Sequence, residues 1–269
     1  YRKRYDGTIR SLGNYSRKPK SHPNQHTQAE IKLINDMFKR NADTGLVVFW
    51  VKLKQRGYTR SISSLYNQMK KLNLKFNVKK KKKKHKTKPY LQMTFPGERI
   101  QIDVKTVPSK CIVGQFELYQ YTAIDEFSRY RYLKIYGEKS TYTSYKFLLE
   151  VLDKFPFKIY TVRTDNGTEF TKRLISKDPN DITMFELALK RNNIHHDLIK
   201  PYTPKHNGKV ERSHRKDNER FYATRRFYSI EDANKQLQLY LREYNNFPMQ
   251  PLNWKSPIEM LRDYFDKSK

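Results

Sequence analysis

Three acids in this chain stand where packing alone does not explain them. Asp103 lies in the alternating run 99–105, with Ile100, Ile102 and Val104 on one face and Gln101, Asp103 and Lys105 on the other. Asp165 follows the β-branched and aromatic run 157–163 and opens an Asp-Asn-Gly turn with Asn166 and Gly167. Glu211 is the single acid in PYTPKHNGKVERSHR, residues 201–215, among His206, Lys209, Arg212, His214 and Arg215. Each has an ordinary reading. A carboxylate in the first turn of a helix is favoured by the helix dipole, Asp opens turns, and a strand can turn an acid to solvent. Together, on three separate elements of a strongly basic chain, they suggest a metal site acting on a polyanion. Phosphoryl transfer needs an activated nucleophile and a stabilised leaving oxygen, and two divalent ions ~3.5–4 Å apart can supply both. Mg²⁺ takes oxygen ligands, one or two of them carboxylates, with water and phosphate completing its shell. Asp125, Glu126, Glu169 and Asp197 compete for the same role, and spacing alone excludes neither Asp125 nor Glu169.

The elements that must bring these acids together follow from periodicity. Strands are expected over 99–105, 116–124, 129–136, 157–163 and 194–199, and helices over 141–155, 183–192, 209–225, 229–244 and 257–264. Residues 171–182 read as an inserted loop. Three hairpin-style strands followed by helix–strand alternation give an α/β domain with a mixed sheet. Ahead of it, Thr27 and Glu30 form a capping box for a helix over 27–40. A second helix runs from Asp43 or Thr44 to Gly57, and a third starts near Thr59 or Ser61. The third carries Ile62, Leu65, Met69 and Leu72 on one face. Arg60, Ser63, Ser64, Asn67 and Lys71 lie on the other, which fits a helix-turn-helix module reading duplex DNA.

Charge points to the same partner. Residues 1–97 hold 25 Lys and Arg against 4 Asp and Glu, leaving +8 of the net +29 for residues 98–269. Charge of that size implies a nucleic acid or an anionic membrane. The longest apolar run, 46–51, is far short of the ~18 residues that span a bilayer. Lys79, Lys80, Lys81, Lys82, Lys83 and Lys84 form an unbroken tract whose self-repulsion marks a linker, here read as a strap along a DNA backbone. The expected organisation is a basic irregular segment 1–26, the helical module 27–75, a lysine-rich linker 76–95, the α/β core 96–225 and a helical tail 226–269. A lone cysteine, Cys111, excludes an internal disulfide, and no secretory pattern opens the chain. A reducing, cytoplasmic, nucleoid-associated setting is therefore expected. The chain begins with Tyr, so preceding sequence is expected.

IQIDVK, AIDEFSRYRY, RTDNGTEF and PYTPKHNGKVERSHR, in that order, resemble the catalytic core of bacterial insertion-sequence transposases related to retroviral integrases. YNNFPMQPLNWKSPIEML resembles their C-terminal stretch, and the likeness covers about residues 98–262. The resemblance implies a ribonuclease H-like fold and two Mg²⁺ or Mn²⁺ ions. It also implies a catalytic, metal-binding Asp-Asp-Glu triad on Asp103, Asp165 and Glu211. Asn166, His206, Asn207, Lys209, Arg212 and Arg215 are then expected to contact DNA, with Gly167 shaping the loop. The implied activity is cleavage at the inverted ends of a mobile element and joining to target DNA, by a dimer or larger assembly. A nuclease that does not join, or a DNA-binding regulator with structural acids, is the alternative. Two departures stand out. The gap between Asp165 and Glu211 is lengthened by the loop 171–182, and residue 218 is Asn where many relatives carry a basic residue, leaving Arg215 as the nearest substitute. With one cysteine, the two-His, two-Cys zinc module of retroviral integrases is excluded.

Overall fold

The structure, a computed structural model, describes residues 5–8, 11, 24–76, 92–114, 116–176, 178, 181–199 and 208–267. The chain divides into two compact units, Tyr1–Lys82 and Lys83–Lys269. The first holds α1 (Gln28–Lys39), α2 (Leu46–Lys54) and α3 (Ile62–Lys71). Thr27 and Glu30 make the expected capping box on α1, and Ser61 caps α3 by accepting from the Ser64 N–H. Helix α2 starts later than its sequence suggested. Gly45 sits at φ 80°, outside the helical region, and Thr44 instead donates its hydroxyl to Asn41 O. Ile34, Phe49, Leu53, Tyr58, Leu65 and Met69 close the core of this unit.

The second unit is built on a five-stranded mixed sheet: β1 (Ile100–Thr106), β2 (Tyr119–Asp125), β3 (Arg131–Tyr136), β4 (Thr161–Thr164) and β5 (His195–Leu198), in the order β3-β2-β1-β4-β5. The first three strands are antiparallel, and β4 and β5 run parallel to β1. This is the ribonuclease H-like core that the sequence resemblance implied. Helices α4 (Thr141–Lys154) and α5 (Met184–Arg191) cover one face, where Ile100, Ile102, Tyr121 and Ala123 meet Phe147, Leu148, Phe185 and Leu189. The other face takes α6 (Gly208–Arg220) and α7 (Ile230–Asn245), through Leu133 and Ile135 against Phe221, Tyr222, Ala233 and Leu237. α8 (Pro257–Lys267) ends the described chain. Helices α7 and α8 thus belong to the same compact unit as the sheet.

An open strand edge invites pairing with other chains, and β3 is an edge. Helix α7 answers it with amide side chains. Asn234 accepts from Ile135 N and donates to Ile135 O, and Asn245 does the same with Arg131 N and O. Next to the central strand, β4 is shorter than its run 157–163 suggested. Gly97 turns the chain away at φ 80°, and Lys158 O approaches so closely that a Cβ there would lie 2.0 Å from it. Helix α6 ends at Arg220, before the expected 225, because Phe221 and Tyr222 turn into the core, each 1% exposed. Among the described residues no helix is long and apolar enough to cross a membrane.

Candidate active site

The polar face of β1 is covered by α6. Gln101 Oε1 accepts the Val210 N–H at 3.0 Å, His214 Nδ1 lies 3.4 Å from Asp103 Oδ2, and Lys105 Nζ donates to Asn218 Oδ1 at 2.9 Å. The spacing explains the match: two strand residues advance about 6.7 Å and four helix residues about 6 Å. Residues 101, 103 and 105 therefore meet 210, 214 and 218 in step. Lys105 also donates to His214 O at 3.3 Å and sits 4.4 Å from the centre of the Tyr222 ring. Position 218, where a basic residue was missing, thus receives an ammonium group from β1. Burial draws Lys105 down to about 8.

Asp103 is the pivot of the site. Its side chain is 18% exposed, and burial, followed by the charges of Asp165, Glu169 and Glu211, pushes its carboxyl up to about 7. Asp165, one residue beyond β4, is exposed and accepts from Gly167 N at 3.0 Å. Glu211 is exposed in the first turn of α6. His214 is drawn down to about 3, first by burial and then by Lys105, so its imidazole is neutral. Among the described residues no three His, Cys, Asp or Glu side chains stand close enough together to hold an ion. The chemistry of the donor set nevertheless suits Mg²⁺ or Mn²⁺, hard ions that take carboxylate oxygens. Like charges crowding a buried carboxylate are what a cation relieves.

The competing acids have other partners. Asp125 is fully buried, accepting from Gly97 N and from the backbone and hydroxyl of Ser128, which closes the β2–β3 turn. Glu126 is fully buried between Arg99, Gln101 and Lys209, and Asp197 pairs with Arg163. Glu169, 4% exposed, is held by Lys139 at 2.8 Å. Its carboxylate packs on Gly167 so tightly that a Cβ there would come within 2.6 Å of it. Glu169 is thus a fourth carboxylate near Asp103, and its place one turn after the Asp-Asn-Gly motif was the available signal.

Behind α6 lies a buried ionic cluster that the sequence did not disclose. Arg131 and Asp217 are both fully buried and pair at 3.0 Å. Ser213 also accepts from Arg131 NH1, and the guanidinium stacks 3.6 Å from the Tyr244 ring centre. Asp217 accepts further from Tyr240 and Gln120. Burial alone would raise the Asp217 carboxyl, but Arg131 and Lys105 outweigh it and hold it below the usual range. At the other end of the helix, Lys209 donates to Glu126 O at 2.8 Å. Val210, Ser213 and Asp217 thereby fix the helix rotation that turns Glu211 outward.

The residues expected on DNA divide. Ser63, Asn67 and Lys71 are exposed on α3, and Ser64 is half-buried. Tyr66, 48% exposed, with Lys70 5.3 Å over its ring, shares that surface and had not been singled out. Arg60 instead faces inward, donating to Glu30 Oε1, Asn24 O and Gln25 O. Lys209 is likewise engaged by Glu126, and Asn166 holds the loop by donating to Ile199 O at 2.6 Å. Arg212 and Arg215 are exposed, the latter 4.0 Å from Glu219. His206, Asn207 and Lys79–Lys84 lie outside the described residues.

A family model described as integrase core domain matches residues 94–204, and a second of the same description matches residues 192–257. These residues form an integrase core domain. The chain is 28% identical over 198 residues to a putative integrase, ORF3, of Spiroplasma virus SpV1-C74, covering 71% of this chain and 53% of the viral protein. It is 33% identical over 131 residues to the retrovirus-related Pol polyprotein from transposon RE1 of Arabidopsis thaliana, covering 46% of this chain and 8% of that one. The chain therefore spans about half the length of the viral relative and a small part of the plant polyprotein. Among solved structures, the integrase core is similar to the catalytic core domain of BIV integrase, with 18% identity and a TM-score of 0.47 over 64% of this chain and 99% of that one. It is also similar to the HTLV-2 integrase catalytic core domain in complex with magnesium, with 17% identity and a TM-score of 0.45 over 61% and 96%.

Proposed function

We propose that this integrase-core protein is a DNA transposase of the insertion-sequence type. In this reading it binds the inverted terminal repeats of a mobile element, cleaves a phosphodiester bond there and joins the freed 3′-OH to target DNA. What supports it is Asp103, a buried carboxylate on the central strand that feels the charges of Asp165, Glu169 and Glu211 from other parts of the chain, in a chain of net charge +29. Asp103, Asp165 and Glu211 would hold two Mg²⁺ or Mn²⁺ ions, which supply activation of the attacking oxygen and stabilisation of the leaving one.

The chain's own groups do the rest. Helix α6 holds Glu211 at the rim while Val210, Ser213 and Asp217 anchor it to the sheet. Asp165 and Glu211, both exposed, would supply the other two carboxylates to ions held at Asp103. Arg212 and Arg215 offer cations to the phosphates beside the site, and Ser63, Asn67 and Lys71 present hydroxyl, amide and ammonium groups suited to base edges and phosphates. Work on two DNA ends calls for a dimer or larger assembly. The lysine tract at 79–84 fits a strap along the DNA backbone, and a cytoplasmic, nucleoid-associated setting fits that substrate.

Incubation with duplexes carrying the element's terminal sequences and Mg²⁺, resolved by cleavage position and joined product, tests the assignment. Cleavage exposing a 3′-OH, followed by joining of pre-cut ends, is expected. Cleavage without joining would make the protein a nuclease of the same fold, and binding without either would make it a regulator. Asp103→Asn and Glu211→Gln are expected to bind ends but neither cut nor join.

A further inference from the structure

Helix α6 begins at Gly208, and the backbone N–H groups of its first turn have no partner inside the helix. The one at Val210 is taken by a side chain from another element, donating to Gln101 Oε1 at 3.0 Å. A side-chain oxygen on such an amide is what a capping residue ordinarily supplies from just ahead of its own helix. Here it comes from β1, 109 positions away in the sequence.

The Gln101 amide can face only one way. Its nitrogen donates to Glu126 Oε1 at 2.8 Å. Both Glu126 oxygens also accept from Arg99, Oε1 at 2.7 Å and Oε2 at 3.1 Å, so this carboxylate is an acceptor toward its neighbours. Turned over, the amide would set its oxygen against the carboxylate and its N–H against the Val210 N–H. Gln101 and Glu126 are both buried, and either mismatch would leave polar groups unpaired away from water. Lys209, the residue before Val210, donates to Glu126 O at 2.8 Å and to Glu126 Oε2 at 3.2 Å. Glu126 therefore holds the first turn of α6 twice, directly through Lys209 and through Gln101 at Val210. Ser213 and Asp217 hold the helix beyond Glu211, and this clamp holds it before. Gln101 and Asp103 stand two residues apart on the same face of β1, and Val210 and Glu211 are consecutive on α6. The strand that carries Asp103 thus also fixes the backbone next to Glu211.

We propose that Gln101 is a positioning residue: clamped by Glu126, it caps the first turn of α6 from β1 and fixes where Glu211 stands relative to Asp103. Its consequence for metal ions rests on the proposed metal site, whereas the clamp is a property of the protein alone.

Two measurements on the full chain decide it. Gln101→Met keeps the length of the side chain and removes both hydrogen bonds. A nitroxide attached at Glu211→Cys reports the motion of the first turn, and one at Glu219→Cys, exposed near the end of α6, reports the rest of the helix. Cys111, 1% exposed, is shielded from the label. In the metal-free protein, Gln101→Met should sharpen the EPR spectrum of the label at 211 and leave that at 219 unchanged. Sharpening at both positions would make Gln101 a core residue like any other, and sharpening at neither would remove the clamp. Either result overturns the proposal. Mn²⁺ binding to the unlabelled protein, followed by the loss of its free EPR signal, gives the second readout. Gln101→Met should bind about 10–100-fold more weakly than the native chain, and native affinity would contradict the assignment. If Gln101→Met melts far below the native chain, Gln101→Asn takes its place. It keeps an amide but is one methylene too short to reach both partners, and it carries the same expectations. If native protein binds no Mn²⁺, the proposed metal site fails, and the two labels still judge the clamp.

Discussion

At the scale of the residue, Asp103 sets the behaviour of the site. Its carboxyl, pushed up to about 7 by burial and by three neighbouring carboxylates, stands above the ordinary Asp value of about 3.9. The sign follows from linkage. A raised acid in the folded state binds a proton that the unfolded chain releases, so its contribution to stability is fully present below about pH 4 and is lost as the pH rises through 7. The metal-free protein should therefore lose melting temperature between pH 5 and 8 by an amount that Asp103→Asn removes. Added Mg²⁺ should recover it, most strongly above pH 7, where no proton must leave. Thermal melts across pH with and without Mg²⁺ check this, and a native profile parallel to that of Asp103→Asn would contradict it. That Asp103 stands on the polar face of its strand was legible from alternation with three aliphatic residues. That its face is roofed by a helix was not, because a polar strand face reads the same whether it meets water or α6.

Among elements, the question is what fixes α6 against the sheet. The Arg131–Asp217 pair lies wholly out of water, and removing one partner strands the other charge. Asp217→Ala is expected to cost about 3–5 kcal/mol, read as a lowered urea midpoint. Because Asp217 is held below the usual carboxylate range, its contribution is present above about pH 4 and disappears as the pH falls through its folded value. Arg131→Met together with Asp217→Leu should recover much of the loss. If Asp217→Ala proves neutral, α6 is held by something else. The run 129–136, RYRYLKIY, could not reveal this. Its alternation of cations and aromatics fits an exposed strand, and only the register of β3 beneath α6 and α7 turns Arg131 inward. Strand and helix positions were readable from their periods. The shortened β4 and the early end of α6 were not, since they depend on Lys158 approaching Gly97 and on two aromatics turning into the core.

For the whole molecule, charge is distributed as a division of labour. Residues 1–97 carry most of the net +29, while Asp103 and the acids whose charges it feels, Asp165, Glu169 and Glu211, sit in the integrase core. Replacing Lys79–Lys84 by serine should reduce the slope of log K against log salt by about 0.9 for each phosphate that the tract neutralises, measured by fluorescence anisotropy on a generic duplex. An unchanged slope would remove the tract from the DNA interface. Composition alone pointed to a polyanion, the basis of the proposed DNA partner. Which polar residues of α3 and its flank are exposed was only partly legible, because Arg60 has the type of a DNA-binding residue but serves the capping box of α1. The central claim is that Asp103, Asp165 and Glu211 close on divalent ions over a DNA strand. Anomalous scattering from crystals of the protein with DNA and Mn²⁺ tests it most directly. Two peaks ligated by these three side chains are predicted, and an absence of peaks there, with Mn²⁺ bound only elsewhere, would contradict the account.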